Sequence, residues 1–406
     1  MIVARNEERT LPRLLHQLRR FTQGGGDVLV VDTGSTDRTA EWSRAMGARV
    51  ECVGDRFRHH VSAATLQQAL ARWDADNGIA ARQAPNHYFH FADARNYAHA
   101  QAKRDSTWSL DASDLIVACD IPSLQSALVS APDPVRAEIE TATPLRHTVA
   151  HLVCSYGGAR TSPEPLYQQR YCSSTDTDSG SLLQIERWFD RRVRVYEGRV
   201  HEVPRLRREA TMLPVRVPVP AHVLAIEHHQ NPDSTRSSYL TGLALDARDR
   251  TLHARSLFYL GRELSTRAAT RATAEQVLKA HLALPAPGPE LGNPFGDLER
   301  GQTCLRLADM RLREEDTNAT LTKKEVANKR DDAARYLMRS ILEYPTQRMA
   351  WILLADVASQ RGQTLLARQC LAAASVVQKG ESAAAEPEWM YGHAFAERVR
   401  RLSSKQ

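Results

Sequence analysis

Four consecutive apolar residues, Val28-Leu29-Val30-Val31, run straight into Asp32. A strand that is apolar on both faces is buried on both, and strands of that kind belong to parallel sheets covered by helices. The flanking sequence agrees. Met1-Ile2-Val3 reads as a short strand with Ala4-Arg5-Asn6-Glu7-Glu8 as its exit loop. From Thr10, an N-cap residue type, Leu11, Leu14, Leu15 and Leu18 recur at helical spacing, and Pro12 falls in the first turn, where proline is tolerated. After the Gly24 to Gly26 break and the strand, Asp32-Thr33-Gly34-Ser35-Thr36-Asp37 turns into a second helix ending near Gly47, a good residue for the position after a helix. Ala48 to Val53 is the third strand. This β-α-β-α-β order with short loops predicts a right-handed, doubly wound parallel sheet, with ligands bound beyond the carboxyl ends of its strands.

Asp32 stands at such an end. A later strand, Thr107 to Leu110, ends in Asp111-Ala112-Ser113-Asp114, a second acidic cluster expected to face the same crevice. Between them, residues 58 to 87 read as an insertion with a helix around Ala64 to Trp73, and Phe89 to Asn96 leads into an alanine-rich helix that ends at Lys103-Arg104. Residues 160 to 181, rich in Ser, Thr, Pro and Asp, read as a flexible loop. The stretch Arg187 to Arg208 is dense in arginine and contains Val200-His201-Glu202.

From about residue 235 the periodicity is helical. Ala333 and Ala367, and likewise Leu337 and Leu371, lie 34 positions apart, the period of tetratricopeptide repeats. Residues Asp331 to Lys379 then read as helix pairs of a short solenoid, and Thr251 to Arg313 as a degenerate repeat region interrupted by the Pro/Gly-rich stretch 285 to 296. The division expected is an α/β domain over 1–234 and a helical repeat domain over 235–406.

Composition narrows the class. In 406 residues, 42% are apolar and 25% charged, which excludes a fibrous or wholly disordered chain. The six cysteines contain no CxxC pair, so neither a zinc site nor a disulfide framework is expected, and a reducing, cytoplasmic setting follows. No stretch reaches the ~18 apolar residues of a membrane span. The formal charge of +6 favours anionic partners.

Taken in order, Met1 to Glu8, Val31-Asp32-Thr33-Gly34-Ser35-Thr36-Asp37, Phe91-Ala92-Asp93-Ala94-Arg95-Asn96, Leu110-Asp111-Ala112-Ser113-Asp114 and Val200-His201-Glu202 resemble the motifs of family-2 glycosyltransferases. The helical tail resembles the subgroup that carries tetratricopeptide repeats. The resemblance implies a GT-A fold, Rossmann-like with a mostly parallel sheet, and transfer of a sugar from a nucleoside diphosphate with inversion. A UDP-sugar is the first choice of donor. It implies that Asn6, Glu7, Asp32, Arg95 and Asp111 contact the donor, and that Glu202, with His201 orienting it or touching the metal, is the general base. It also implies that His228, in Ile226-Glu227-His228-His229, completes a metal shell.

The chemistry asks for such a site on its own terms. A departing diphosphate gains charge as the glycosidic bond breaks, and a metal ion with cationic donors stabilises that charge. Carboxylate oxygens suit Mg²⁺ or Mn²⁺, so Asp111 and Asp114 are the expected ligands with His228. The family's usual second aspartate is replaced here by Ser113, which leaves two readings. One is an active transferase in which Asp114 substitutes or the metal is held mostly by the diphosphate. The other is a catalytically silent GT-A protein that acts as a binding module, with its repeats docking a protein partner. Protein, glycan and modified DNA all stand as acceptors, the last because Arg187, Arg191, Arg192, Arg194, Arg199, Arg205, Arg207 and Arg208 flank the proposed base.

Overall fold

A computed structural model describes residues 1–130, 160–173, 176–185, 187–229, 239–285, 296–317 and 320–379. The chain opens with β1 (Ile2–Ala4), α1 (Leu11–Gln23), β2 (Leu29–Asp32), α2 (Thr39–Ala45) and β3 (Arg49–Cys52). Leu11, Leu14, Leu15 and Leu18 are all buried, so the apolar stripe of α1 is the face that packs on the sheet. Gly47 takes φ +87 and donates its N–H to Arg44 O at 2.9 Å, closing α2 as its position predicts.

The insertion forms β4 (Arg58–His60), α3 (Ala63–Leu70), a 3₁₀ turn over Ala71–Trp73, α4 (Ile79–Gln83) and β5 (His87–Phe89). Then follow α5 (Phe91–Ala100), β6 (Ser106–Trp108), β7 (Leu110–Asp111), β8 (Asp114–Cys119) and α6 (Ile121–Val129). One expected strand, Thr107 to Leu110, is therefore two. Ser109 N–H bonds to Arg187 O at 2.8 Å and Leu110 N–H to Met1 O at 3.0 Å, so the chain changes partners between these residues and moves into the parallel sheet.

That sheet has the order β3-β2-β1-β7, with every pair parallel. Chain order runs outward from β1 to β3 on one side and returns to β7 on the other. The topological switch point, where open α/β sheets bind ligands, therefore lies between β1 and β7.

A second, five-stranded sheet follows. It contains β8, β9 (Arg160–Ser173), β10 (Asp176–Ile185), β14 (Met212–Pro218) and β15 (Leu224–His229) in the order β10-β9-β15-β8, with β14 also paired to β9. Two small ladders accompany it: β11 (Trp188–Asp190) on β6, and β12 (Arg194–Glu197) on β13 (Val203–Leu206). The expectation of a flexible loop over 160 to 181 is corrected here, because most of it is β9 and β10, paired antiparallel. Its composition misleads since the buried face of β9 is itself largely polar: Ser162, Glu164, Tyr167, Gln169 and Cys172 are buried. Glu164 is neutralised by Arg194, whose Nη2 lies 2.7 Å away, and Tyr167 accepts from Trp108 Nε1 at 2.7 Å. Strand β8 lies at the end of this sheet, and Gln17 of α1 bonds both the N–H and the C=O of Ile116 there, at 2.9 and 3.0 Å.

The remaining described elements are helical: α7 (Tyr239–Asp249), α8 (His253–Ser265), α9 (Arg271–Ala283), α10 (Gly296–Thr317), α11 (Lys323–Glu343), α12 (Arg348–Gln360) and α13 (Thr364–Lys379). Leu305, Leu337, Leu353 and Cys370 share one core among the last four. A different core joins Leu66, Leu70 and Trp73 of the insertion to Leu240, Leu257 and Leu278 of α7 to α9. The Pro/Gly-rich stretch lies outside the described residues over 286–295. Among the described residues no helix is long and apolar enough to cross a membrane.

Burial also sets a pH dependence. His281 is buried on α9 beside Thr303, and burial, helped by Arg300, pushes its pKa down from 6.5 to about 4. The unfolded chain therefore takes up protons before the folded one does. The stabilisation is complete above about pH 6.5 and is lost as the pH falls toward 4. Between pH 7 and pH 5 this one group should remove about 2 kcal/mol of stability. Urea unfolding at both pH values is expected to show a correspondingly smaller loss in His281→Gln.

Candidate active site

Asn6, at φ +55, accepts the Thr36 N–H on Oδ1 at 2.8 Å and donates its own N–H to Ser35 Oγ at 3.0 Å. Glu7 N–H reaches Thr39 Oγ1 at 2.7 Å, and the Glu7 carboxylate accepts from the Thr10 hydroxyl. Asp32, buried, accepts both the N–H and the hydroxyl of Ser35, at 3.0 and 2.5 Å. Asn6 and Glu7 thus zip the β1–α1 loop to the β2–α2 loop, and Asp32 braces the turn of the latter. Register places Asp32 beside Ala4 and Asp111 beside Val3, so the two acidic tips lie on one edge of the sheet, separated by the single strand β1.

Asp111 is the hub. Its Oδ1 accepts from Arg95 Nη2 at 2.7 Å and its Oδ2 from Arg187 Nη1 at 2.6 Å. Its own N–H donates to Asp114 Oδ2 at 2.8 Å. Asp114 opens β8, where antiparallel register sets it opposite His228 of β15, and His228 Nδ1 lies 2.8 Å from Asp114 Oδ1. His228 is also 3.7 Å from Asp111 Oδ2. The Asp114 side chain is wholly buried, and Gln169 donates to it at 3.4 Å.

Arg95, on the first half of α5, carries the connection further. Its Nε donates to Glu202 Oε1 at 2.5 Å, so one guanidinium spans Asp111 and Glu202. The next residue, Asn96, fixes α5 to β12 by paired hydrogen bonds with the Tyr196 backbone, both 2.9 Å.

These contacts dictate protonation. Burial disfavours the Asp111 carboxylate, but Arg187, Arg95 and His228 outweigh it and hold its pKa well below the usual range. Burial would lower the Arg95 pKa, yet Asp111 and Glu202 push it up. Burial likewise opposes charge on His228, and Asp114 and Asp111 overcome it, raising its pKa.

Asp111, Asp114 and His228 each offer a ligand atom within 4.8 Å of the others. Two carboxylates and an imidazole are a donor set that fits Mn²⁺ or Mg²⁺. Of the residues picked from sequence, Arg95, Asp111, Asp114, Glu202 and His228 come together. His201 does not join them: its ring stacks on Tyr259 of α8 at 3.8 Å, and its Nε2 accepts from Arg262 at 3.1 Å. Sequence reasoning missed Arg187 as a site residue, placing it in a surface band, and missed Gln169 altogether. Alternation along β9 is the signal that would have placed Gln169 on the face of Tyr167. A second grouping, Cys172, Glu227 and His229, pairs neighbouring positions of β9 and β15.

Residues 1–79 match the family model for glycosyl transferase family 2. No curated protein matches the chain significantly. The matched portion covers β1, α1, β2, α2 and β3, the unit that places Asn6, Glu7 and Asp32, and glycosyl transfer is the class of reaction to which it points. Arg95, Asp111, Glu202 and His228 lie beyond it.

A cation that binds the folded site stabilises it by mass action, by about 2.7 kcal/mol at a hundredfold excess over Kd. Mn²⁺ is expected to raise the melting temperature in a dose-dependent way, and Asp114→Asn to abolish that increment whatever its own starting stability. A wild-type protein indifferent to Mn²⁺ and Mg²⁺ would remove the metal assignment.

Proposed function

We propose that this chain transfers a sugar from a nucleoside diphosphate, UDP in the first instance, to an acceptor hydroxyl with inversion at the anomeric carbon. The observation that carries the reading is the Arg95 bridge. One guanidinium joins Asp111, at the switch point where a nucleotide is expected, to Glu202, a carboxylate on the loop between β12 and β13.

Donor and acceptor roles divide across that bridge. Asp32, Asn6 and Glu7 form the rim for the nucleoside, since a carboxylate there accepts hydroxyl or imide hydrogen bonds. Arg95 and Arg187 face the pyrophosphate, and planar guanidinium groups hold such oxyanions in pairs of hydrogen bonds. Asp111, Asp114 and His228 would hold a divalent cation, which when bound would supply further neutralisation of the leaving group's charge. Glu202 accepts the proton of the acceptor hydroxyl as its oxygen bonds to the anomeric carbon and the bond to the β-phosphate oxygen breaks. The nucleoside diphosphate departs with the electron pair, beside Arg95.

The Ser113 departure does not empty the site of carboxylates, because Asp114 turns back onto Asp111. That arrangement favours the active reading over a silent binding module. The arginine band no longer argues for DNA: Arg194 pairs with Glu164, Arg191 and Arg192 with Asp105, Arg199 with Asp246, Arg205 with Glu197 and Arg207 with Glu209. Protein and glycan acceptors remain, with the helices of 235–406, tetratricopeptide-like in period, as the surface for a protein partner. The division we propose remains 1–234 and 235–406, with the core of Leu66, Leu70, Trp73, Leu240, Leu257 and Leu278 shared across it. The free thiols among the described residues support a cytoplasmic setting.

Incubation with a panel of sugar nucleotides and Mn²⁺ should release nucleoside diphosphate from one donor. Release from none of them, with no donor binding, returns the chain to the binding-module reading. Glu202→Gln keeps an acceptor for Arg95 and should cut turnover by about 10²- to 10⁴-fold while sparing donor affinity. Equal losses in both would argue against a base at this position.

A further inference from the structure

Glu202 is the last residue of a loop, Gly198–Glu202, between β12 and β13, and the four residues before it are gripped by α7, α8 and the turn joining them. Arg199 donates its N–H to Asp246 Oδ2 at 2.8 Å and its Nη1 to Asp246 Oδ1 at 2.7 Å, and its Nη2 reaches Asp249 at 2.8 Å. Val200 is buried in the core of α7 to α9, so close to Gly242 that a Cβ added there would meet Val200 Cγ2 at 2.4 Å. Leu252 abuts Gly198, where an added Cβ would stand 3.0 Å from its Cδ1.

His201 receives the tightest hold. Its backbone lies at φ +56, a left-handed conformation that a residue with a side chain keeps only where its surroundings enforce it. Tyr259 stacks on the ring at 3.8 Å with 17° between planes, Tyr239 meets it edge-on at 5.5 Å, and Arg262 donates to its Nε2. Arg255 donates to the His201 carbonyl at 3.1 Å. The left-handed turn at His201 sets the direction in which the next residue leaves the backbone, and that residue is the one whose carboxylate meets Arg95.

We propose that α7 and α8 are the positioning element for Glu202, with Tyr259 and Arg262 holding His201 in the strained turn that aims the carboxylate. His201 then acts as a positioning residue rather than a metal ligand. The helical region is a working part of the active site, not a module hung behind it. The proposal rests on the transfer reading for the role of Glu202, while the clamp itself is independent of the reaction.

The test uses the full chain carrying Tyr259→Ala or Tyr259→Phe, with three readouts: amide exchange over 198–202, calorimetric affinity for UDP with Mn²⁺, and turnover. Tyr259→Ala should speed exchange in that loop and lower turnover about a hundredfold, the effect expected of a reacting group displaced by about 1 Å. UDP affinity should stay unchanged, and Tyr259→Phe, which keeps the stacked ring, should match the wild type. Should Tyr259→Ala fail to fold, Arg262→Gln, which removes the guanidinium facing His201, carries the same expectations. Unchanged exchange and turnover, or parallel loss of UDP affinity and turnover, overturns the proposal. Faster loop exchange in a protein whose wild type turns over no donor leaves the clamp standing and overturns the transfer reading instead.

Discussion

Arg95 is a buried guanidinium, and a charge so placed must be neutralised where it stands, since removing one partner of a buried pair typically costs about 3–5 kcal/mol. Its partners come from distant parts of the chain. Asp111 lies at the tip of the parallel sheet, and Glu202 lies on the loop between β12 and β13. Helix, sheet and loop must therefore all be in place before the charge is satisfied, which couples formation of the site to completion of the fold. The same pairing holds Asp111 ionised and Arg95 charged, so the polarity that suits a diphosphate is set by folding.

The first 53 residues were legible because their information is local. An apolar run, a leucine stripe and a glycine at the end of a helix each act over a few positions, and the folded unit reproduces the expected order. The placement of Asp32 and Asp111 was legible for a related reason: an acidic residue at the end of a parallel strand has few places to go except the crevice. What periodicity cannot reveal is a change of partner. The run from Thr107 to Leu110 is continuous in sequence but pairs first with β11 and then with β1, and the break at Ser109 is written in residues far along the chain.

Charge was the least legible property. An arginine-dense segment looks like an exposed cationic band when its counter-ions are out of view. Here they are supplied by Asp105, Glu164 and Asp246, on elements that sequence alone does not place beside it. The polar face of β9 misleads in the same way. Glu164 and Gln169 are buried because Arg194 and Asp114 receive them, and without those partners their burial would be too costly to expect. Tertiary pairing thus neutralises the arginine segment, of which Arg194 is buried, and makes the polar face of β9 an interior one.

The substitution of Ser113 shows how topology can relocate a functional group. Were β7 to continue straight on, alternation would send position 113 to the side of Asp111 and position 114 away from it. The chain instead leaves the parallel sheet at Asp111, turns through Ala112 and Ser113, and re-enters as β8, whose first residue faces His228 across an antiparallel pair. The turn resets the alternation, so Asp114 is the carboxylate that returns to Asp111, while the backbone carbonyl of Ser113 is taken by His229 N–H at 3.1 Å. The junction of two sheets, not the spacing of two aspartates, determines which oxygen atoms meet here. The portion of the chain that matches a family model, residues 1–79, ends before this junction, and the residues proposed to complete the site meet it only in three dimensions.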